Sequence, residues 1–374
     1  MEQKKSKKHC IMHVPNYIDR EGKSGSSIRP LKMKRAFEEN GYTVEFISGY
    51  GKSRKEKIEF IKKNIKKGIK YDFLYAESST MPTVLTEKDH IPRYPALDFR
   101  FFKFCRDNKI KIGIFYRDIQ WKFSFYKESV PFYKRCFSVP LYKYDLQKYR
   151  KLADTFYLPT LKMAEYFDGK DILLQKMKVL MPGCDDKKGT NEKEEKIFHK
   201  PLNILYVGGV DKIYDLRVFL SVISRMKDST RVYICCRKPE WIAAKKLYEP
   251  YLGEHIKIIH KNGSELDEYY KKVDICCAFA GKGEYMSMAM PVKIFEYMGN
   301  FVPIFATKGT VAGDFVEKTG IGWSIEYSEE ALKQCIEQIL RCPQVLEEKK
   351  KKEIEIYNKH TWKARALQVI EDLK

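Results

Sequence analysis

At several points in this 374-residue sequence an apolar run ends on groups suited to a charged or hydroxylated ligand. In IFYRDIQWKF, Arg117 and Asp118 follow a run that begins at Lys111. The carboxylate of Asp118 could take a proton from a hydroxyl, as a general base does, or simply hold the guanidinium of Arg117 in place. Trp121 suits a sugar face or, more plainly, a core. In LNILYVGGVDKIYDL, Gly208 and Gly209 close an apolar strand, and a helix is expected to begin near Tyr214. Glycines there let the backbone approach a phosphate, a helix N-terminus offers free N–H groups, and Lys212 adds a cation. An ordinary tight turn would leave the same two glycines, and the fuller G-x-G-x-x-G pattern is missing. Arg237 precedes Lys238-Pro239 at the end of the next apolar run. Its fork of donors fits a diphosphate or a base edge, and equally a surface salt bridge.

The elements that must hold these residues alternate. Apolar or β-branched runs at 9–14, 43–47, 73–75, 111–116 and 155–158 read as strands, with helical spacing between them. One such helix, Ile28 to Asn40, is closed by Gly41. A second series follows at 203–207, 231–236, 256–260, 273–279, 302–306 and 322–325. Such alternation predicts an α/β protein with two Rossmann-like domains, each a parallel sheet covered by helices on both faces and the two facing across a cleft. The length points the same way, because a single core stops growing at roughly 250–300 residues. The expected divisions are an N-terminal domain over 1–182, a linker over 183–200, a second domain over 201–350, and a C-terminal helix in 351–374. In the linker segment, GCDDKKGTNEKEEKIFHK, ten of eighteen residues are Asp, Glu or Lys.

Charge is unevenly spread. Residues 1–180 hold 39 Lys and Arg against 21 Asp and Glu, a net of +18 out of +21 for the chain. The segment GKSRKEKIEFIKKNIKKGIK, 51–70, holds nine basic residues against two glutamates, with Ile58, Ile61, Ile65 and Ile69 on one helical stripe. A sheet-covering helix with solvated lysines accounts for that pattern. The same lysines would attract an anionic membrane leaflet, giving peripheral contact through the N-terminal half. The N-terminal apolar stretch, 10–14, is too short for a signal-peptide core or a membrane span. The ten cysteines include no C-x-x-C, and four form doublets in apolar runs. They read as reduced core residues of a cytoplasmic protein, placed at most at the inner face of a membrane.

The densest segment, GEYMSMAMPVKIFEYMGNFVPIFATKGTVAGDFVEKTGIGWSI, runs from Gly283 to Ile325. It resembles the nucleotide-sugar site of GT-B glycosyltransferases, especially glycosyltransferase family four (glycosyl transferases group 1). Pro291, Lys293, Glu296, Tyr297, Met298, Pro303, Ala306, Thr307, Gly320 and Gly322 stand where that family's pattern has them. The resemblance is strongest over 200–325 and looser before 150. It implies a glycosyltransferase, a hexosyltransferase in particular, that takes a nucleotide-sugar donor as substrate and no other cofactor. Glu296 would then accept hydrogen bonds from the ribose hydroxyls, a carboxylate offering two acceptors to a vicinal diol. Met288 stands where a second glutamate is common, so contact with the transferred sugar falls to backbone between Gly281 and Ser287. Gly25 and Ser26, in SGSSIRPLKMKRAFEENG, would line the cleft in an opening loop. No D-x-D pair and no H-E-x-x-H or Cys/His cluster occurs in the chain, so no metal is expected. Helix dipole, Lys and Arg would neutralise the departing diphosphate. UDP is the expected nucleotide and a glycan or lipid-linked glycan the expected acceptor. Transfer would retain configuration, with no protein base needed; inversion would put Asp118 forward instead.

Two other readings stay open on the residues alone. A charge of +18 over 180 residues with interleaved aromatics could contact nucleic acid, although no binding module for it is recognisable and no nucleic-acid partner is expected. A two-domain sugar-nucleotide enzyme such as an epimerase would show the same donor segment.

Overall fold

The computed structural model describes residues 8–19, 25–169, 171–186 and 198–374, with no side-chain description for residues 25 and 26. Most of the expected linker, 187–197, lies outside the described residues. The chain divides into two compact units, Met1–Met181 with Trp362–Lys374, and Pro182–Thr361.

The first unit runs β1 (Lys8–His13), α1 (Gly25–Glu39), β2 (Tyr42–Ile47), α2 (Gly51–Lys66), β3 (Phe73–Glu77), α3 (Leu97–Asp107) and β4 (Lys111–Phe115). It continues through α4 (Ser124–Ser129), α5 (Phe132–Leu152), β5 (Thr155–Leu158), α6 (Ile172–Gln175) and β6 (Met177–Val179). All its strand pairs are parallel, in the order β2-β1-β3-β4-β5-β6. The interior strands are apolar because both faces are covered: Phe73 to Ala76 and Phe156 to Leu158 are buried throughout. Each strand read from the sequence is present within a few residues. Strand β6 was not read, since its three residues, MKV, include a lysine and lie on the sheet edge.

Helix α1 ends as expected, with Gly41 in the left-handed region at φ +85°. In α2 the inward stripe is shorter than the spacing suggested. Ile58 and Ile61 are buried, whereas Ile69 lies beyond the helix and is exposed. The most deeply buried cation of this lysine-rich segment is Arg54, 2% exposed.

The second unit runs β7 (Leu202–Val207), α7 (Arg217–Arg225), β8 (Thr230–Cys235), α8 (Lys238–Tyr248), β9 (Ile256–Ile259), α9 (Asp267–Lys272) and β10 (Ile275–Ala278). Then come α10 (Glu284–Met288), α11 (Val292–Gly299), β11 (Ile304–Thr307), α12 (Val311–Thr319), β12 (Gly322–Ile325), α13 (Glu329–Arg341) and α14 (Gln344–Ile356). Its sheet is also wholly parallel, ordered β12-β11-β10-β7-β8-β9. The last helix, α15 (Trp362–Asp372), belongs to the first unit and packs on α1, while residues 351–361 stay with the second. Gln368 Nε2 donates to Val179 O at 2.8 Å, and Tyr157 OH donates to Asp372 at 3.1 Å. A Cβ on Gly113 of β4 would lie 2.8 Å from Leu373 and 2.9 Å from the Tyr157 ring, so a larger residue there would displace one of these side chains.

Candidate functional site

In the second sheet the strand order reverses between β7 and β10. Loops leaving the carboxyl ends of two such strands diverge and open a crevice, the usual ligand position in open α/β sheets. Tyr297, fully buried on α11, ties this point together. Its hydroxyl accepts from Val207 N at 3.0 Å and reaches the carbonyls of Val207 and Cys277 at 3.3 and 3.4 Å. Helix α11 is thereby fixed to the ends of both strands.

Glu296, one residue before Tyr297, therefore has a fixed base. Its side chain is 28% exposed and lies 2.6 Å from Lys293 Nζ, itself 31% exposed. The two residues nominated from the sequence thus meet one turn apart, each still open to solvent. A carboxylate in this state keeps acceptor capacity for a second donor. Met288, in α10, is buried. Ser287 is partly exposed, and its hydroxyl donates to Glu284 O at 2.7 Å.

The loop after β10 is joined to β11 and to the loop after β7. Thr307 Oγ1 donates to Ala280 O at 2.8 Å and accepts from Ala280 N at 3.2 Å. Gly281 N donates to Asp215 O at 3.0 Å. Thr310 caps α12, its Oγ1 accepting from Gly313 N at 3.0 Å. A Cβ on Gly313 would stand 2.2 Å from Thr307 O, so the close approach of helix to strand requires glycine.

Gly208 and Gly209 lie on this edge, partly exposed, but the expected helix does not begin at Tyr214. Asp211 and Asp215 turn the chain first, accepting from the backbone of Ile213, Tyr214 and Arg217, and α7 starts at Arg217. Gly208, Gly209 and the exposed Lys212 therefore belong to a loop instead of a helix N-terminus. Arg237 occupies the N-cap position of α8, 62% exposed, and pairs with Glu240 at 2.8 Å.

In the first unit the order reverses between β1 and β3. Gly25 and Ser26 fall in the first turn of α1 instead of a loop. Arg117 is held by Glu77 and Ser78, not by Asp118 alone. Its Nη2 lies 2.8 Å from Glu77 Oε2, and its backbone N–H donates to Ser78 Oγ at 2.9 Å. The backbone N–H of Gln120 donates to Asp118 Oδ1 at 3.0 Å, a local turn bond. Trp121 is buried and stacked on Tyr142, rings 5.3 Å apart and 7° from parallel, so it is core.

Two ionic clusters here were not read from the sequence. Glu77, fully buried at the end of β3, takes Arg117 on one oxygen, and on the other Arg29 at 3.3 Å and Tyr75 OH at 3.0 Å. Arg29 lies over the Phe115 ring at 3.7 Å, with Trp362 beyond. Burial draws the Arg117 pKa down, with Glu77 opposing. Nearby, His13 Nε2 lies 2.7 Å from Asp98 Oδ1, and Arg54 holds both Asp98 oxygens at 3.0 and 3.1 Å. Burial raises the Asp98 pKa, but the bonds and charges of His13 and Arg54 outweigh it and hold the carboxyl below its ordinary value. A glutamate ending the otherwise apolar strand FLYAE, and an arginine among lysines, were the available signals.

Two six-stranded parallel sheets, each in its own unit and interleaved with helices, give the architecture of a GT-B fold. Sucrose-phosphate synthase from Thermosynechococcus elongatus is similar, with TM-score 0.65, 13% identity and coverage of 97% of this chain and 98% of the other. A glycosyltransferase from Rickettsia africae gives 0.62 at 14% identity, covering 98% of each chain. Anabaena HepE in complex with UDP-glucose gives 0.61 at 10% identity, covering 97% and 98%. No curated protein matches the sequence significantly. Residues 201–342 match the family described as Glycosyl transferases group 1. That match lies wholly within the second unit.

Proposed function

We propose that the protein moves a sugar from a UDP-linked donor to a hydroxyl of a glycan or lipid-linked glycan, with retention of configuration and without a metal. The observation that carries this reading is Glu296, pinned through Tyr297 at the reversal of the second sheet and still open to solvent. In that place it would accept from the ribose hydroxyls. Lys293 and the capped N-terminus of α12 supply positive potential for a departing diphosphate. The UDP-glucose complex of HepE, a protein of the same fold, supports uridine over other bases.

We place it at the cytoplasmic face of a membrane. No helix among the described residues is long and apolar enough to cross one. Contact through the first unit is supported by the first two turns of α5, where Phe132, Tyr133 and Phe137 are 73, 63 and 73% exposed. Exposed Lys127 and Lys134 stand beside them. Aromatic rings flanked by cations suit the headgroup region of an anionic leaflet.

Thermal denaturation with UDP, GDP and ADP tests the donor, because a ligand of the folded state raises the melting temperature. UDP should raise it most; an equal response to all three, or none, would remove the assignment. NMR of the anomeric centre in the product tests stereochemistry, and an inverted product would bring Asp118 forward as base.

A further inference from the structure

Two tyrosines at the carboxyl edge of the first sheet stand out because they are rigid and exposed together. Tyr17 follows β1 and is 57% exposed; Tyr50 precedes α2 and is 37% exposed. Their rings lie 5.7 Å apart and 14° from parallel. Large apolar surface held in solvent in one geometry points to a partner, since scattered single aromatics show no such order.

The backbone beneath them is fixed from several sides. Arg54 Nη1 donates to Pro15 O at 2.7 Å and Gly49 O at 2.6 Å, and Gly49 N donates to Asn16 O at 3.0 Å. One buried guanidinium, anchored by Asp98, thus joins the loop carrying Tyr17 to the loop carrying Tyr50. Gly49 sits at φ +102°, a conformation that L side chains rarely adopt. Gly51 N donates to Glu87 Oε1 at 2.7 Å, and a Cβ on Gly51 would lie 2.1 Å from the Tyr94 ring. These contacts hold the Ser48-Gly49-Tyr50-Gly51 turn, which presents Tyr50 to Tyr17.

We propose that Tyr17 and Tyr50 form a stacking platform for a pyranose ring of the acceptor glycan. This rests on the glycosyltransferase reading above and names the chemistry of its acceptor subsite. The tyrosines stack on each other, and Tyr17, the more exposed, presents its outer face to solvent. A pyranose offers a face of C–H groups with slight positive charge, complementary to the negative face of an aromatic ring. Its hydroxyls point outward around that face. The partly exposed Asn16 amide and the exposed Lys52 and Ser53 lie within a few residues of the rings and are suited to such hydroxyls. The platform stands on the same sheet edge as the β1–β3 reversal, where open α/β sheets bind ligands.

Saturation-transfer NMR on the full chain tests this with methyl glycosides of glucose, galactose, mannose and N-acetylglucosamine as probes. The wild-type protein should transfer saturation to the ring C–H face of at least one. Tyr17→Ala should weaken that signal about three- to tenfold, the range of one lost stacking contact, and Tyr17→Phe should retain it. Both variants should keep the wild-type melting curve and UDP response. Silence from every glycoside with wild-type protein that still responds to UDP overturns the platform and leaves the donor reading standing. An unchanged signal in Tyr17→Ala overturns it as well. Loss in Tyr17→Phe equal to that in Tyr17→Ala would mean a hydroxyl contact in place of stacking, and loss of the UDP response in Tyr17→Ala would move these residues to the donor; either result overturns the proposal.

Discussion

In the first unit Arg29, Arg117 and Glu77 close on one another out of solvent, and Arg54, His13 and Asp98 do the same beside them. In the second unit Lys293 and Glu296 form a shorter pair that solvent still reaches. The difference lies in what each charge has left to give. Glu77 has both oxygens occupied by buried partners, so its work is structural: it holds Arg117 and the start of α1 at the sheet edge. Glu296 has one cationic neighbour and an open side, so it can take a ligand at small cost to the fold. Both carboxylates are glutamates, with arginines as partners in one place and a lysine in the other, and burial and number of partners separate the closed cluster from the open pair.

The largest expected effect that would break this contrast is in the first cluster. Glu77→Ala leaves two buried guanidinium groups without their carboxylate and should cost about 3–5 kcal/mol of stability. Urea denaturation followed by circular dichroism checks it, and a loss near zero would place Glu77 with Glu296. Next comes Asp145, buried in α5 against Thr83 N at 2.8 Å, whose pKa burial pushes from 3.8 to about 7. The unfolded carboxyl ionises first, so in the window between those values the unfolded state binds fewer protons and stability falls as pH rises. That loss amounts to about 1.4 kcal/mol per unit. Asp145→Asn should remove this slope and gain on the wild type from acid toward neutral pH, seen by denaturation at a series of pH values.

Glu296→Ala reverses the pattern. Its stability change should stay below about 0.5 kcal/mol, the size of a partly exposed helix pair. UDP affinity by calorimetry should fall roughly tenfold to a hundredfold, as for a lost charge-assisted contact. Unchanged affinity would take Glu296 out of the site. The smallest effect belongs to Arg237→Ala: with the guanidinium mostly in solvent and paired to Glu240, nucleotide affinity should shift by no more than about threefold.

The sheets were legible because buried parallel strands must be continuous apolar runs, and runs such as Phe73–Ala76 or Ile275–Cys277 have no other plausible place. Lys293 and Glu296 were nominated through a family resemblance carried by one continuous segment, and their pairing is local, one helical turn apart. The ionic clusters were not, since His13, Arg54 and Asp98 meet across 41 to 85 residues of sequence, which no spacing rule connects. The start of α7 was missed because Asp211 and Asp215 cap backbone turns before the helix, while the pattern only marked where helical spacing became possible. Tyr17 and Tyr50 gave no signal at all, because an exposed tyrosine in a loop is ordinary until its neighbour is seen.

Helix α15 has a consequence for the order in which the molecule is made. The second unit is continuous from Pro182 to Thr361, but the first is complete only when Trp362–Lys374 has been added. On the ribosome the first 181 residues emerge early and must wait, with the Gly113 face of the sheet uncovered and Arg29 lacking its outer ring, while the second unit is synthesised. Contacts that close such long loops form slowly and leave apolar surface bare in the interval. The first unit is therefore complete only once Trp362–Lys374 has joined it.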